Sequence, residues 1–372
     1  DVMTITHLNY DPKDLTRTGH DAWTLTDVVF TPTQTWPTGV LTSVNGASGS
    51  TEWRYKVTAF NDEDGEESLP GEDTTAITIT GASAANPCVI TATNTLSAGD
   101  EVIITDIVGM TELSGRRYTV ASPTGSNFEL SGEDSTNYTA YSSGGNAYLS
   151  YSITTTGNAT LDDTNNNTIA WTTAANADSY DIYKYDNGLY GYIGTTEEAS
   201  FTDDGIQATL TDTPPKERIP FHTDNPAVTA YYEQRKWYAQ TTGKPQSFWG
   251  SQSANYNNMT FSSPRKDDDS ITRTIAAMEV NEIRHMVPMT DLIFLTSGGE
   301  WRLSAGSAAA ITPTNINVKP QETHGSSNVR PLTIGDSVLY VQERGSIVRD
   351  LAYKLESDGY TGTDLSILSE HL

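Results

Sequence analysis

Cysteine is almost missing from this 372-residue chain, which holds only Cys88. A single thiol excludes an intrachain disulfide and any cysteine-based zinc site, so stability must come from packing. Positive charge is also scarce, with 22 Lys and Arg against 48 Asp and Glu and a net charge of -26. No apolar run reaches the roughly 18 residues of a membrane-spanning helix. Gly-x-Ser-x-Gly, His-Glu-x-x-His, P-loop and dinucleotide fingerprints are absent as well, which removes the usual sequence grounds for a hydrolase, metalloprotease or nucleotide site. The chain opens at Asp1 without a charged and apolar leader and stops at "ILSEHL" inside a pattern. Both ends are therefore expected to be cut, leaving a fragment of a longer protein.

The acids are unevenly spread. Residues 1–32 carry 5 acids and 2 bases, residues 33–215 carry 25 and 5, and residues 216–372 carry 18 and 15. One strongly acidic block thus lies between two nearly balanced flanks, which suggests separate domains. Such a block will not hold a nucleic-acid backbone, because phosphate binding needs a basic footprint.

Helical periodicity is scarce. Short alternating runs, punctuated by Gly, Asn, Asp and Pro, predict an all-β chain. "TEWRYKVTAF" (51–60) sets Trp53, Tyr55, Val57 and Ala59 against Arg54, Lys56 and Thr58. "DSYDIYKY" (178–185) sets Tyr180, Ile182 and Lys184 against Asp181, Tyr183 and Tyr185. "EVIITDIVG" (101–109) reads as a more buried strand, and "DLSILSEHL" (364–372) as a short terminal helix capped by Asp364.

An internal repeat dominates the flanks. "RKWYAQTTGKPQSFWGS" (235–251), "DLIFLTSGGEWRLSA" (291–305) and "DSVLYVQERGSIVRDLAY" (336–353) each read as strand, Gly-bearing turn, strand. Trp237, Ile293 and Leu339 fall at about the same place in each, 56 and then 46 residues apart, near the period of propeller blades. Residues 2–30 form a looser copy with a turn expected at Pro12. In "DLIFLTSGGEWRLS", Leu292, Phe294 and Thr296 share one face and Ile293 and Leu295 the other. Gln246 and Ser346 stand near the place of Glu300 in the other copies, so a repeated scaffold is favoured over a catalytic glutamate there.

The expected organisation is all-β: β-propeller-like blades at 1–32 and 216–372, with an inserted fibronectin-III-like sandwich at 33–86 and 146–215. That sandwich itself carries a small nested β domain at 87–145. Loop insertions of this kind cost little, because closure entropy grows slowly with length. Trp171, "ADSYDIYK", "YIGTT" and "SFTDDG" resemble the early strands of a fibronectin type III sandwich, and "WRYKVTAFNDEDGEESLPG" (53–71) resembles its last two strands. The late strands precede the early ones, so the alternatives are one permuted sandwich or two half-sandwiches.

Chemistry-bearing residues are weighed against packing. Glu282, Arg284 and His285 ("NEIRH") are the residue types of an acid/base cluster, yet Ile283, Met286 and Val287 beside them favour a structural role. His20, in "TGHDAW", sits next to a turn. Asp267, Asp268 and Asp269 are contiguous, so they point to both faces of an extended chain and favour a solvated turn over a cation site. Asn61, Glu63, Gly65 and Glu67 alternate more like a Ca²⁺ loop but read mainly as a hairpin turn. Gly188, Gly191 and Gly194 open no helix, which argues against phosphate cradling. Tyr190, Tyr192, Trp237, Phe248 and Trp249 could stack sugars, with core packing the favoured reading. No catalytic, metal or cofactor residue is assigned.

Several stretches resemble the nozzle, or tail hub, proteins of short-tailed bacteriophages, the tail tubular protein B family. They are "VMTITHLNYDPKDLTRTGHDAWTL" (2–25), "GEESLPG" (65–71), "GLYGYIGTT" (188–196), "YYEQRKWYAQTTGKPQSFWGSQSANYNNMTFSSPRKDDDSI" (231–271) and "VNEIRHMVPMTDLIFLTSGGEWRLS" (280–304). Residues 87–145 resemble the small β-barrel first described in ubiquitin-activating enzymes, a module also found in phage tails. The family resemblance implies a non-enzymatic virion protein without cofactor, assembled as a homo-oligomeric ring, generally a hexamer. Its implied partners are a tail adaptor protein and a tail fibre or spike, with double-stranded DNA passing through the channel without specific binding. Two other classes stand beside it: a carbohydrate-binding or host-surface adhesion module using the inserted domains, and, last, a hydrolase using Glu300 or His285 on a propeller face.

Overall fold

The computed structural model describes residues 1–367 apart from 222, 223, 278, 307 and 346, and apart from the side chain of 357. The chain is nearly all β, as the alternating runs predict, and its described helical content is two single 3-10 turns. It forms two compact units. One takes Asp1–Thr31, Arg218–Phe261 and the residues from Arg265 onward, and the other takes Pro32–Glu217 and Ser262–Pro264.

The first unit is built from blade-like antiparallel meanders. Val2–His7, Tyr10–Arg17 and Trp23–Asp27 form a three-stranded sheet. Three four-stranded sheets follow, each pairing its strands in chain order. The second blade is Val228–Tyr232, Arg235–Ala239, Ser247–Gly250 and Ile271–Thr274. The third is Ile283–Pro288, Leu292–Thr296, Glu300–Ser304 and Asn317–Glu322. The fourth is Leu332–Ile334, Ser337–Val341, Val348–Lys354 and Gly359–Asp364.

The three repeated stretches supply the middle strands of these blades. Every residue of Leu292–Thr296 is buried, because the two faces of the strand enter different cores. Leu292 and Phe294 join Trp237 and Phe248, with the Phe248 and Phe294 rings 4.8 Å apart. Ile293 and Leu295 join Val338, Tyr340, Leu351 and Tyr360. The match between copies is shifted by one residue: Trp237 corresponds to Phe294, the third residue of its strand, and not to Ile293.

Two expectations change here. The first hairpin turns at Leu8 and Asn9, while Pro12 lies within the strand Tyr10–Arg17. It is tolerated because the pairing slips between Ile5 and His7, leaving a bulge opposite a residue that has no N–H to donate. Asp364 ends a strand, although its carboxylate does accept the Ser366 amide at 2.8 Å. The rest of the expected helix, residues 368–372, lies outside the described residues, as does Ser346.

A buried ion pair ties the first blade to the second. Lys236, 1% exposed, donates to Asp14 at 3.1 Å and to the Asn257 side chain at 2.9 Å.

The second unit contains one sandwich. Its sheets are Ser152–Gly157, Thr51–Asn61, Ser179–Asp186 and Leu189–Thr196 on one side, and Ser200–Asp203, Asn166–Thr172 and Thr38–Asn45 on the other. Thr51–Asn61 pairs directly with Ser179–Asp186, and Tyr55, Val57 and Ala59 share a core with Ile169, Trp171 and Ile182. The permuted single sandwich is therefore formed, and the two-half alternative is not. Asn187 and Gly188 both have positive φ, which makes the tight turn that an Asn-Gly pair favours. A seven-stranded sheet spans Ile77–Thr78 to Ser143–Leu149 around Ile90, Val102, Ile104, Phe128 and Leu130. It is wider than the expected 87–145. No helix among the described residues is long and apolar enough to cross a membrane.

Replacing Asp14 strands the Lys236 charge in the interior. Asp14→Ala is expected to lower stability by about 3–5 kcal/mol, against under about 0.5 kcal/mol for Leu332→Ala at a 62% exposed position. Urea unfolding followed by tryptophan fluorescence checks the contrast.

Candidate functional site

Of Glu282, Arg284 and His285, weighed in the sequence as acid/base types but favoured as structural, His285 is engaged separately from the other two. The His285 ring Nε2 lies 3.0 Å from the Ser327 carbonyl, and burial pulls its pKa below the ordinary value. Glu282 instead accepts from Arg284 at 2.8 Å, and Arg284 also donates to the Ser326 carbonyl at 2.8 Å and pairs with Glu343. His20 is exposed, with Arg17 at 3.5 Å.

The acidic run 267–269 works through its backbone. The Arg235 guanidinium, 1% exposed, donates to the carbonyls of Asp267, Asp268, Asp269 and Ser251 at 2.6–3.3 Å. Burial pushes Arg235 down to about 10, with Asp268 and Asp269 opposing. Asp267 and Asp268 are exposed and Asp269 is buried, so the three carboxylates do not converge. The 61–68 stretch is a hairpin turn. Asn61 accepts the Glu63 and Asp64 amides at 2.8 and 3.2 Å. Glu66 turns inward to Thr33 and Gln34, and Glu67 to Thr58 and Tyr183. The glycines of 188–194 serve packing: a Cβ at Gly194 would lie 2.7 Å from the Phe201 ring. Trp237, Phe248 and Trp249 are buried, as the packing reading expects.

Two groupings remain. The first is a cleft of about 520 Å³ in the second unit, lined among others by Arg54, Lys56, Glu101, Tyr151, Tyr185 and Tyr190. Arg54 stacks over Tyr151 at 5.1 Å and Lys56 over Tyr190 at 5.0 Å. Tyr151 donates to Asp100 at 2.8 Å. Lys56 and Ser150 donate to Glu101 at 2.5 and 2.6 Å. Lys56 is thus buried although it faces away from the sandwich core, because the nested sheet supplies Glu101 over it, while Thr58 on the same face donates to Glu67. Burial pulls Lys56 below its ordinary value, with Glu101 opposing. Burial would raise Glu101, but the Lys56 and Arg117 cations outweigh it and hold the carboxyl down at about 2.

The second grouping lies at one end of the third blade. Glu300, Glu322 and His324 bring a carboxylate oxygen each and an imidazole nitrogen within 4.8 Å of one another. Glu300, set aside in the sequence because the other repeats lack it, is fully buried. Burial pushes its carboxyl above the ordinary range, with the neighbouring Tyr340 and His324 opposing. The signal that could have found this group is the pattern Glu-x-His at 322–324, read together with Glu300 across a hairpin.

No family model and no curated protein matches the chain. Among solved structures, a protein from Lactobacillus plantarum aligns over 84% of this chain and 95% of its own, at 8% identity and a TM-score of 0.23. The phage phi92 endosialidase aligns over 89% of this chain and 57% of its own, at 10% identity and a TM-score of 0.20. Scores this low carry no argument for fold or function, which rest here on the chain's own residues.

The folded pKa of Glu101 lies below the ordinary 4.5, so its ionised form stabilises the fold above about pH 4.5 and that contribution is lost as pH falls through about 2. Glu101→Gln is expected to cost about 2–3 kcal/mol at pH 7 and progressively less from pH 5 to pH 2. Thermal melts across that range check the trend; a gap that stays constant would show that Glu101 carries no such linkage.

Proposed function

We propose that this chain is a structural protein of a phage virion, part of the nozzle or hub of a short tail. One observation carries the reading: consecutive four-stranded meanders stack through strands buried on both faces, and a separate two-module β unit is spliced into a loop of that stack. The residue-level resemblance of 2–25, 231–271 and 280–304 to tail nozzle proteins supports it. A scaffold role fits the candidates for chemistry, since His285 and the 267–269 run are used up in holding backbone. A channel for double-stranded DNA works by not gripping phosphates, and the near balance of residues 216–372, with 18 acids and 15 bases, avoids the counterion-release affinity of a basic lining. The adaptor and a fibre or spike are the proposed partners, and the ring is proposed as a hexamer.

Assembly tests this reading. The full-length protein is expected to form a closed ring, seen by electron microscopy and by sedimentation. It is also expected to join purified tail complexes. A protein that stays monomeric and is never incorporated sinks the proposal.

A second reading is favoured by the cleft alone. Tyr185 and Tyr190, with Arg54 and Lys56 beside them, line an aromatic and polar surface against which a sugar ring could stack. Glycan-array binding abolished by Tyr190→Ala would favour a carbohydrate-binding module. No binding to any glycan would remove it.

A further inference from the structure

Glu300 and Glu322 face each other directly across two paired strands of the third blade. Like charges in that relation repel, and burial strengthens the repulsion because little water screens it. Something must compensate. Among the described residues no lysine or arginine pairs with either carboxylate. The one basic neighbour is His324, whose Nδ1 lies 3.1 Å from the Glu322 Oε2.

The polar atoms of this cluster are not satisfied by one another. Glu300 Oε1, Glu322 Oε2 and His324 Nδ1 are buried atoms without a well-aligned hydrogen bond, although the Tyr340 hydroxyl lies within reach of the Glu300 carboxylate. For Glu322 and His324 the short separation is therefore not a well-aligned hydrogen bond. The other Glu300 oxygen accepts the His324 amide at 3.3 Å, a long bond. Buried polar groups are otherwise nearly always paired. Two carboxylates and an imidazole gathered at one spot, under-satisfied and led by a glutamate of zero exposure, point to a shared cationic partner. Gly362 of the fourth blade keeps the space open: a Cβ there would lie 2.8 Å from Glu322 Oε2 and 3.7 Å from the Tyr340 hydroxyl.

We propose that Glu300, Glu322 and His324 bind one divalent transition-metal cation, zinc by ligand chemistry. The imidazole argues against calcium and magnesium, which take oxygen ligands. Two carboxylates and one imidazole are ordinary zinc donors, with bonds of about 2.0–2.2 Å. Such bonds place tetrahedral ligand atoms about 3.4 Å apart. A contraction of at most about 1.4 Å from the present 4.8 Å limit closes the set. The cation would neutralise the carboxylate pair and clasp the last strand of the third blade to its neighbour Glu300–Ser304, next to the fourth blade.

The test uses the full chain stripped with a chelator and dialysed free of it. One equivalent of Zn²⁺ is expected to bind by titration calorimetry and to raise the thermal midpoint, while Mg²⁺ and Ca²⁺ leave it unchanged. Co²⁺ is expected to give the visible absorption of a tetrahedral site. His324→Gln, at a partly exposed position, and Glu322→Gln are each expected to weaken zinc more than about 10-fold, the scale on which even groups that only orient a metal ligand act. The proposal is overturned if no Zn²⁺ binds, or if both variants bind it as tightly as the parent. It is also overturned if Glu322→Gln stabilises the metal-free protein and zinc adds nothing to the parent, since the carboxylates would then share a proton instead.

Discussion

A strand that is apolar on both faces needs a cover on each side. Leu292–Thr296 places Leu292 and Phe294 in one core and Ile293 and Leu295 in another. The third blade therefore has no face to give to water along this strand, and the second and fourth blades supply its two covers. Much of the first unit follows from that demand. The middle strands are the most apolar because they lie deepest, while outlying strands such as Leu332–Ile334 carry exposed residues. Asp14 and Lys236 extend the same logic to the first blade with charges in place of apolar side chains. Such a pair holds its partners in one register, since neither ion can leave the other without being stranded.

The same demand explains why a large insertion is tolerated. The blades cohere through side chains that meet across sheet faces, not through the loops that join strands. The chain leaves the first unit after Thr31 and re-enters at Arg218, yet Thr4 still meets Tyr231 at 2.8 Å and Asp14 still meets Lys236. Loop closure over so long a detour costs only a slowly growing entropy. The second unit repeats the device, with a seven-stranded sheet entered from the sandwich after Glu67 and left before Ser152.

How much of this was legible in sequence depended on the distance over which residues cooperate. Alternation in 291–304 gave the hairpin and both of its faces, because a strand's periodicity is local. Pro12 misled, since a proline ordinarily marks a turn and here sits at a bulge whose existence depends on the partner strand. The correspondence of Trp237 with Ile293 was legible only approximately, because only packing shows that Phe294 is its counterpart on a doubly buried strand. Alternation puts Lys56 on the face opposite Tyr55 and Val57, and nothing near it in sequence announces that Glu101 arrives from another module to bury it.

The end of the third blade was the least legible part, and the reason is instructive. Repetition argued that Glu300 belongs to a scaffold, and the structure agrees that it begins a scaffold strand. But repetition speaks only for what the copies share. Whatever one copy has alone must be read from its neighbours, and the neighbours of Glu300 are set by register: Glu322 opposite it, His324 two residues later, Tyr340 in the next blade. A blade can carry such a cluster because its strand order is already fixed by apolar burial at Leu292–Thr296. The hydrophobic cores on either side supply the free energy that forces two carboxylates together, and the local electrostatics then dictate that a compensating positive charge, proton or cation, must join them.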